Sequence, residues 1–344
     1  MFNLNSKKHV ALLGLCTLMV VMLFTLNSCD NKKEQIVINE IMASNHSNLA
    51  TRDGELYDWI ELKNISEEPV NLEGFSLVVE SSANNQEEDN GANIKTWDLP
   101  NLEMKAGEYL VIFASKKDKA DPKGELHTSF KLPSAGGTLK LMKGKNVTAE
   151  VSFEELKDDQ CYRRLDDGTY IVSYEPTPGF DNNSEGLEKS YAVLEKQRTG
   201  PLRIWELHSK GNKNGEAWVE VKNVSDAPVN LQDYCLTTSM KDMSQWSFPQ
   251  VTLQPGEFYV VNGNSEGLIM GKNKSVTLTK DGKFVDGMNA SAAPKGTTAG
   301  RVVGKNGIFY FKEPTRGAEN NTSSSRTPAP QDNEDNDDEE NDNE

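Results

Sequence analysis

The densest group of side chains that could do chemistry is Asp53, Glu55 and Asp58. Paired carboxylates can act as general acid and base, and acidic oxygens this close can also collect calcium. Against that stands the overall composition: with 53 acidic residues against 37 basic ones, such clusters arise by chance. His46, His127 and His208 lie in no His-x-x-x-His frame, and no Cys-x-x-Cys pair accompanies them, so a zinc site has little support. A phosphate loop is absent from the sequence. The expectation is a chain with no catalytic residues, no metal and no cofactor.

The elements around those residues are written twice. Asp58-Trp59-Ile60-Glu61-Leu62-Lys63-Asn64 recurs as Ala217-Trp218-Val219-Glu220-Val221-Lys222-Asn223, and Pro69 to Leu72 recurs as Pro228 to Leu231. Upstream, Ile38-Asn39-Glu40-Ile41 answers Ile204-Trp205-Glu206-Leu207. Downstream, Gly107-Glu108 answers Gly256-Glu257, and Glu175-Pro176-Thr177-Pro178-Gly179 answers Glu313-Pro314-Thr315-Arg316-Gly317. The offset falls from 166 at Glu40 to 159 at Glu61, 149 at Gly107 and 138 at Pro176, so the first copy carries three longer connections on a shared frame.

The shared segments read as strands. Val37–Ile41, Trp59–Lys63, Phe75–Val79 and Tyr109–Phe113 are short runs rich in β-branched and aromatic residues, bounded by Gly, Pro, Asn or Asp. Period 2 puts Ile60 and Leu62 on one face and Trp59, Glu61 and Lys63 on the other, the pattern of a half-buried antiparallel strand. Repetition of such strands without a helical period predicts an all-β chain of two β-sandwiches. Because Glu40/Glu206, Trp59/Trp218, Glu61/Glu220 and Asn64/Asn223 persist in both copies while loops do not, they are expected to hold the fold. In that role Trp is an apolar cover and Asn a turn residue.

Asn-Glu-Ile, Trp-Ile-Glu-Leu-x-Asn, Val-Asn-Leu-x-Gly-Phe, Trp97-Asp98-Leu99-Pro100, Gly-Glu-Tyr/Phe and the closing Pro-Thr-Pro-Gly-x-x-Asn together resemble the lamin tail domain family. Copy two departs from the pattern at Asp233-Tyr234 and Arg316. The resemblance implies an immunoglobulin-like sandwich, found also in bacterial envelope proteins.

At the start, Lys7 and Lys8 precede an apolar stretch from Val10 to Leu26, and Leu26-Asn27-Ser28-Cys29 resembles a bacterial lipobox. Cys29 is the expected lipidation site of a bacterial lipoprotein. The chain then divides into a signal peptide (1–28), a tether (29–35), a first sandwich (36–183), a linker (184–200), a second sandwich (201–321) and an acidic tail (322–344) that should be disordered. Leu187, Tyr191 and Leu194 give the linker a helical spacing, and this separation implies that each copy melts on its own. Cys161 and Cys235 are left over, as two single buried thiols or as a disulfide.

A net charge of −16 argues against nucleic acid as the ligand. The function expected from these readings is a membrane-anchored, non-catalytic binding, adhesion or scaffolding lipoprotein of the cell envelope, on the outer membrane facing periplasm or cell surface. Its ligand would be a protein or polysaccharide. The alternative is an accessory module tethering a partner enzyme or polysaccharide, and a hydrolase stands lower. Specificity is expected in the first copy's loops, above all the Ser81–Thr96 insert.

Overall fold

A computed structural model describes residues 35–81, 94–198, 200–209, 217–239, 242–268, 270, 275–294 and 296–320. The signal, Cys29, the tail and most of the Ser81–Thr96 insert lie outside the described residues.

Both copies build the same two-sheet sandwich. In copy one the first sheet runs Tyr170–Ser173, Cys161–Arg164, Ile36–Met42, Trp59–Asn64, Tyr109–Phe113 and Leu126–His127. Its counterpart in copy two runs Phe309–Phe311, Thr298–Gly300, Leu202–His208, Trp218–Asn223 and Phe258–Asn262. The facing sheets are Asn146–Glu154, Gly136–Lys143, Phe75–Ser81 and Ile94–Asp98 in one copy and Lys283–Asn289, Ser275–Lys280, Tyr234–Thr237 and Trp246–Ser247 in the other. Alternating inward residues of the two sheets form a separate apolar core in each copy, with Ile38, Ile60, Leu62, Leu77 and Leu141 in the first and Ile204, Val219, Val221, Leu236 and Leu278 in the second. The strands expected at Trp59, Phe75 and Tyr109 form where the sequence places them.

One expectation about these strands is corrected. Trp59–Asn64 is buried on both faces, with Trp59 and Glu61 fully enclosed. The outward face is covered by a helix, Ser184–Gln197, whose Leu194 joins Met42, Leu49, Trp59, Phe113 and Cys161 in a second apolar layer. Asn183 caps the helix by accepting a bond from Gly186 N at 2.9 Å.

The two copies keep separate cores but are docked by polar contacts. Asp159 makes the joint: its carboxylate accepts bonds from His46 N (2.8 Å), Ser47 N (2.7 Å) and Ser47 Oγ (2.8 Å) of its own copy and from Ser275 Oγ (2.5 Å) and Asn289 Nδ2 (3.0 Å) of the other. Its φ of 61° is in the left-handed region, which Asp tolerates better than most residues. Two glycines permit the close approach. A Cβ on Gly287 would come within 2.5 Å of Ser47 Cβ, and one on Gly307 within 2.6 Å of the Tyr191 ring on the helix. Phe284 N also donates to Gly54 O across the joint at 2.8 Å.

Candidate functional site

The acids that repeat in both copies face each other across the central strand pair. Glu40 lies opposite Glu61 and Glu206 opposite Glu220, each next to a β-bulge at Asn39 or Trp205. Both pairs are fully buried, and what they hold is the closing segment of their own copy. Thr177 N donates to Glu40 (3.1 Å) and Gly179 N to Glu61 (2.5 Å). Thr315 N donates to Glu206 (3.1 Å) and Gly317 N to Glu220. Asn182 Nδ2 donates to Asn39 O and Arg164 O, and Asn320 Nδ2 to Trp205 O and Arg301 O, completing the same latch. This explains why Pro-Thr-x-Gly and the following Asn recur. Burial pushes Glu40 and Glu220 up to about 7. Glu61 is raised well above the usual carboxylate range by burial and by Glu40 beside it.

Asn64 and Asn223 hold turns through matching bonds. Asn64 Nδ2 donates to Glu68 O and Met104 O while its Oδ1 accepts from Ser66 N. Asn223 does the same with Ala227 O, Leu253 O and Ser225 N. Trp59 is an enclosed cover, as its persistence implied. Trp218 is covered in turn by Arg316, the residue that departs from the Pro of copy one, with its guanidinium 5.5 Å from the ring centroid.

Asp53, Glu55 and Asp58 do not converge. Asp53 is exposed on a turn. Glu55 is held below the usual carboxylate range chiefly by its bond to Lys117, with Lys283 of the other copy nearby. Asp58 accepts from Asn45 N at 3.3 Å and is pushed up to about 6 by burial. His127 is a core histidine, stacked on Phe113 at 5.4 Å, with Nδ1 2.9 Å from Ser115 Oγ. Burial lowers its pKa. Among the described residues no carboxylate hydrogen-bonds that ring, so the Ser115–His127 contact is not completed to a triad. His46 Nε2 lies 3.3 Å from Asp158 beside the joint, and His208 packs on Trp218. No grouping of His, Cys, Asp and Glu that could hold a metal occurs among the described residues. Cys161 and Cys235 are free thiols, the second only half-buried because it sits on the outward face of its strand.

Sequence reasoning missed a cleft on copy two. About 500 Å³ in volume, it is lined by Arg203, Trp205, Lys222, Arg301, Val303 and Lys305 together with Glu195 and parts of adjoining turns. Its cations come from two strands and the loop that follows a third, a scatter that no local motif reveals.

Two docked, all-β sandwiches of the same topology, each latched by a buried acid pair, define the class as tandem immunoglobulin-like modules. The lamin tail domain family matches residues 30–155 and 195–292, more than half of the chain. The chain belongs to the lamin tail domain family. No curated protein matches it. Among solved structures, the exo-chitosanase CsxA of Amycolatopsis orientalis is similar at 15% identity over 71% of this chain, with a TM-score of 0.18. A second structure of CsxA, described as an exo-beta-D-glucosaminidase inhibited by a castanospermine and an amino-australine analogue, gives the same values. The chain spans 26% of that enzyme's length, and a likeness this slight bears on neither fold nor chemistry.

Proposed function

We propose that this chain is a recognition module of the bacterial cell envelope, tethered through lipid on Cys29, that binds or scaffolds a partner and catalyses no reaction. The observation that carries the reading is the use made of the repeated acids. All four are buried and bonded to the closing segments, so they support the sandwiches instead of facing a substrate. The tether is supported by the order of basic, apolar and lipobox residues ending at Cys29. Multiple acyl chains on one Cys would hold the module at a membrane, where weak contacts gain by confinement.

Between the two classes of ligand, a protein is favoured over a polysaccharide. Sugar-binding sandwiches need exposed aromatic platforms, and Trp59, Trp97, Trp205 and Trp218 are buried while Trp246 is half-buried. Pull-down from intact envelope with the tethered protein, run beside turnover assays on glycan, ester and nucleic acid, tests the reading. Specific capture without turnover is the expected result. Turnover abolished by substituting Asp53, Asp58 or His127 would contradict it.

A further inference from the structure

The cleft on copy two has chemistry that its counterpart lacks. The repeat offset of 166 places Val37 where Arg203 stands and Asn39 where Trp205 stands. The frame is shared, so this difference marks a property of copy two alone. Arg203 and Arg301 line the cleft and, together with Arg198 outside its lining, ion-pair among the described residues only with Glu195 and Asp286. Three guanidiniums against two carboxylates leave one positive charge in surplus, in a chain whose net charge is −16. Lys222 is matched by Glu319, with its Nζ 4.1 Å from the Trp205 ring centroid, whereas Lys305 adds a further charge at the mouth.

The cluster still has donors to offer. Arg301 bonds to Ile204 O (3.0 Å), Glu195 (2.8 Å) and Asp286 (2.8 Å) use three of its five N–H groups. Trp205 is 6% exposed and lines the cleft, yet its Nε1 has no hydrogen-bond partner among the described residues. The rim is apolar: Val303 is 65% exposed and Val224 42%.

We propose that this cleft binds a carboxylate attached to an apolar group, in the form of a peptide C-terminus ending in an aliphatic residue. The two N–H groups left on Arg301 and the charge of Lys305 suit a carboxylate, and the Val224 and Val303 rim suits the side chain beside it. A volume of about 500 Å³ is that of a small-molecule site and takes the end of a chain. An extended polyanion would meet repulsion from a chain whose net charge is −16. The inference rests on the reading of the chain as a recognition module.

The test is calorimetric titration of the full chain with an acetylated tripeptide ending in valine, in free-acid and amidated forms, and with glucuronate. Arg203 and Arg301 brace the fold, so the variants are Val303→Asp and Lys305→Glu, both at exposed positions. Saturable binding of the free acid is expected. The amide, and the free acid on either variant, should bind at least about tenfold more weakly, at an unchanged melting temperature. Equal binding of acid and amide, variants that bind as wild type, or glucuronate binding as tightly as the peptide would overturn the proposal. A cleft indifferent to the free acid, in a protein that still captures envelope partners, removes this inference alone, whereas enzymatic turnover removes the module reading beneath it.

Discussion

Asn39 Nδ2 donates to Glu61 Oε1 at 2.7 Å inside copy one, and the equivalent bond is missing from copy two. Trp205 occupies the same bulged position there, so Glu220 Oε1 has no partner among the described residues and neither does Trp205 Nε1. The two copies thus share a latch but satisfy it unequally. Glu220, short of a donor, should accept a neutral replacement more readily than Glu61. Glu220→Gln is expected to change unfolding free energy by less than about 1 kcal/mol, and Glu61→Gln to cost about 1–3 kcal/mol. Denaturant titration of both variants checks this. A larger loss at Glu220 would sink the comparison.

Stability should fall as pH rises through neutrality. Burial raises Glu40 and Glu220 from 4.5 to about 7 and Asp58 from 3.8 to about 6. The folded chain keeps these protons where the unfolded chain has released them, so unfolding free energy declines between about pH 4.5 and 7. Asp181 and Glu195 act in the opposite sense. Bonds from Lys63 and Tyr109 hold Asp181 low, and at Glu195 the attraction of Arg301, Arg198 and Arg203 outweighs burial. Their contribution is lost as pH falls below the ordinary carboxylate value. Melting curves should peak near pH 5, and Glu40→Gln with Glu220→Gln should flatten the neutral limb. A rise in melting temperature from pH 5 to 7.5 would contradict this assignment.

Asp159 should control whether the copies melt together. It accepts bonds from both sandwiches, and Asp159→Ala strands several buried donors at once. A loss of about 3–5 kcal/mol is expected, with one calorimetric transition splitting into two. Wild type already showing two separate transitions would mean the joint contributes little.

Trp59→Ala should cost about 3–5 kcal/mol, because the ring is fully enclosed between Met42, Phe113 and Leu194. Since the helix that covers Trp59 also touches Gly307, part of that loss should reach copy two. Calorimetry resolves the two copies. An unchanged melting temperature accompanied by lost partner capture would make Trp59 a binding platform.

Much of the frame was legible in the sequence. Period 2 located Trp59–Asn64, and persistence in both copies singled out Asn64 and Asn223, whose local bonds reach only a few residues or one neighbouring strand. The second apolar face of that strand was not legible, because alternation cannot announce a helix more than 120 residues away that covers it. The joint escaped for the same reason: Asp159 and Ser275 are 116 residues apart, and nothing local distinguishes either. Arg203 and Lys222 likewise meet only through strand pairing, and Arg301 joins them from just beyond a third strand.

Anchoring has its own test. Cys29→Ala should abolish incorporation of a fatty-acid probe and leave an unprocessed precursor. Equal labelling of wild type and variant would remove the tether.

The central claim is that the repeated acids hold the fold of a module that binds and does not catalyse. Its most direct test is Glu61→Gln in the tethered protein, comparing melting temperature with partner yield from intact envelope well below the melting range. The account predicts a lowered melting temperature with partner yield unchanged and no turnover in either protein. An unchanged melting temperature with capture lost, or a hydrolytic activity present in wild type and absent from Glu61→Gln, would contradict it.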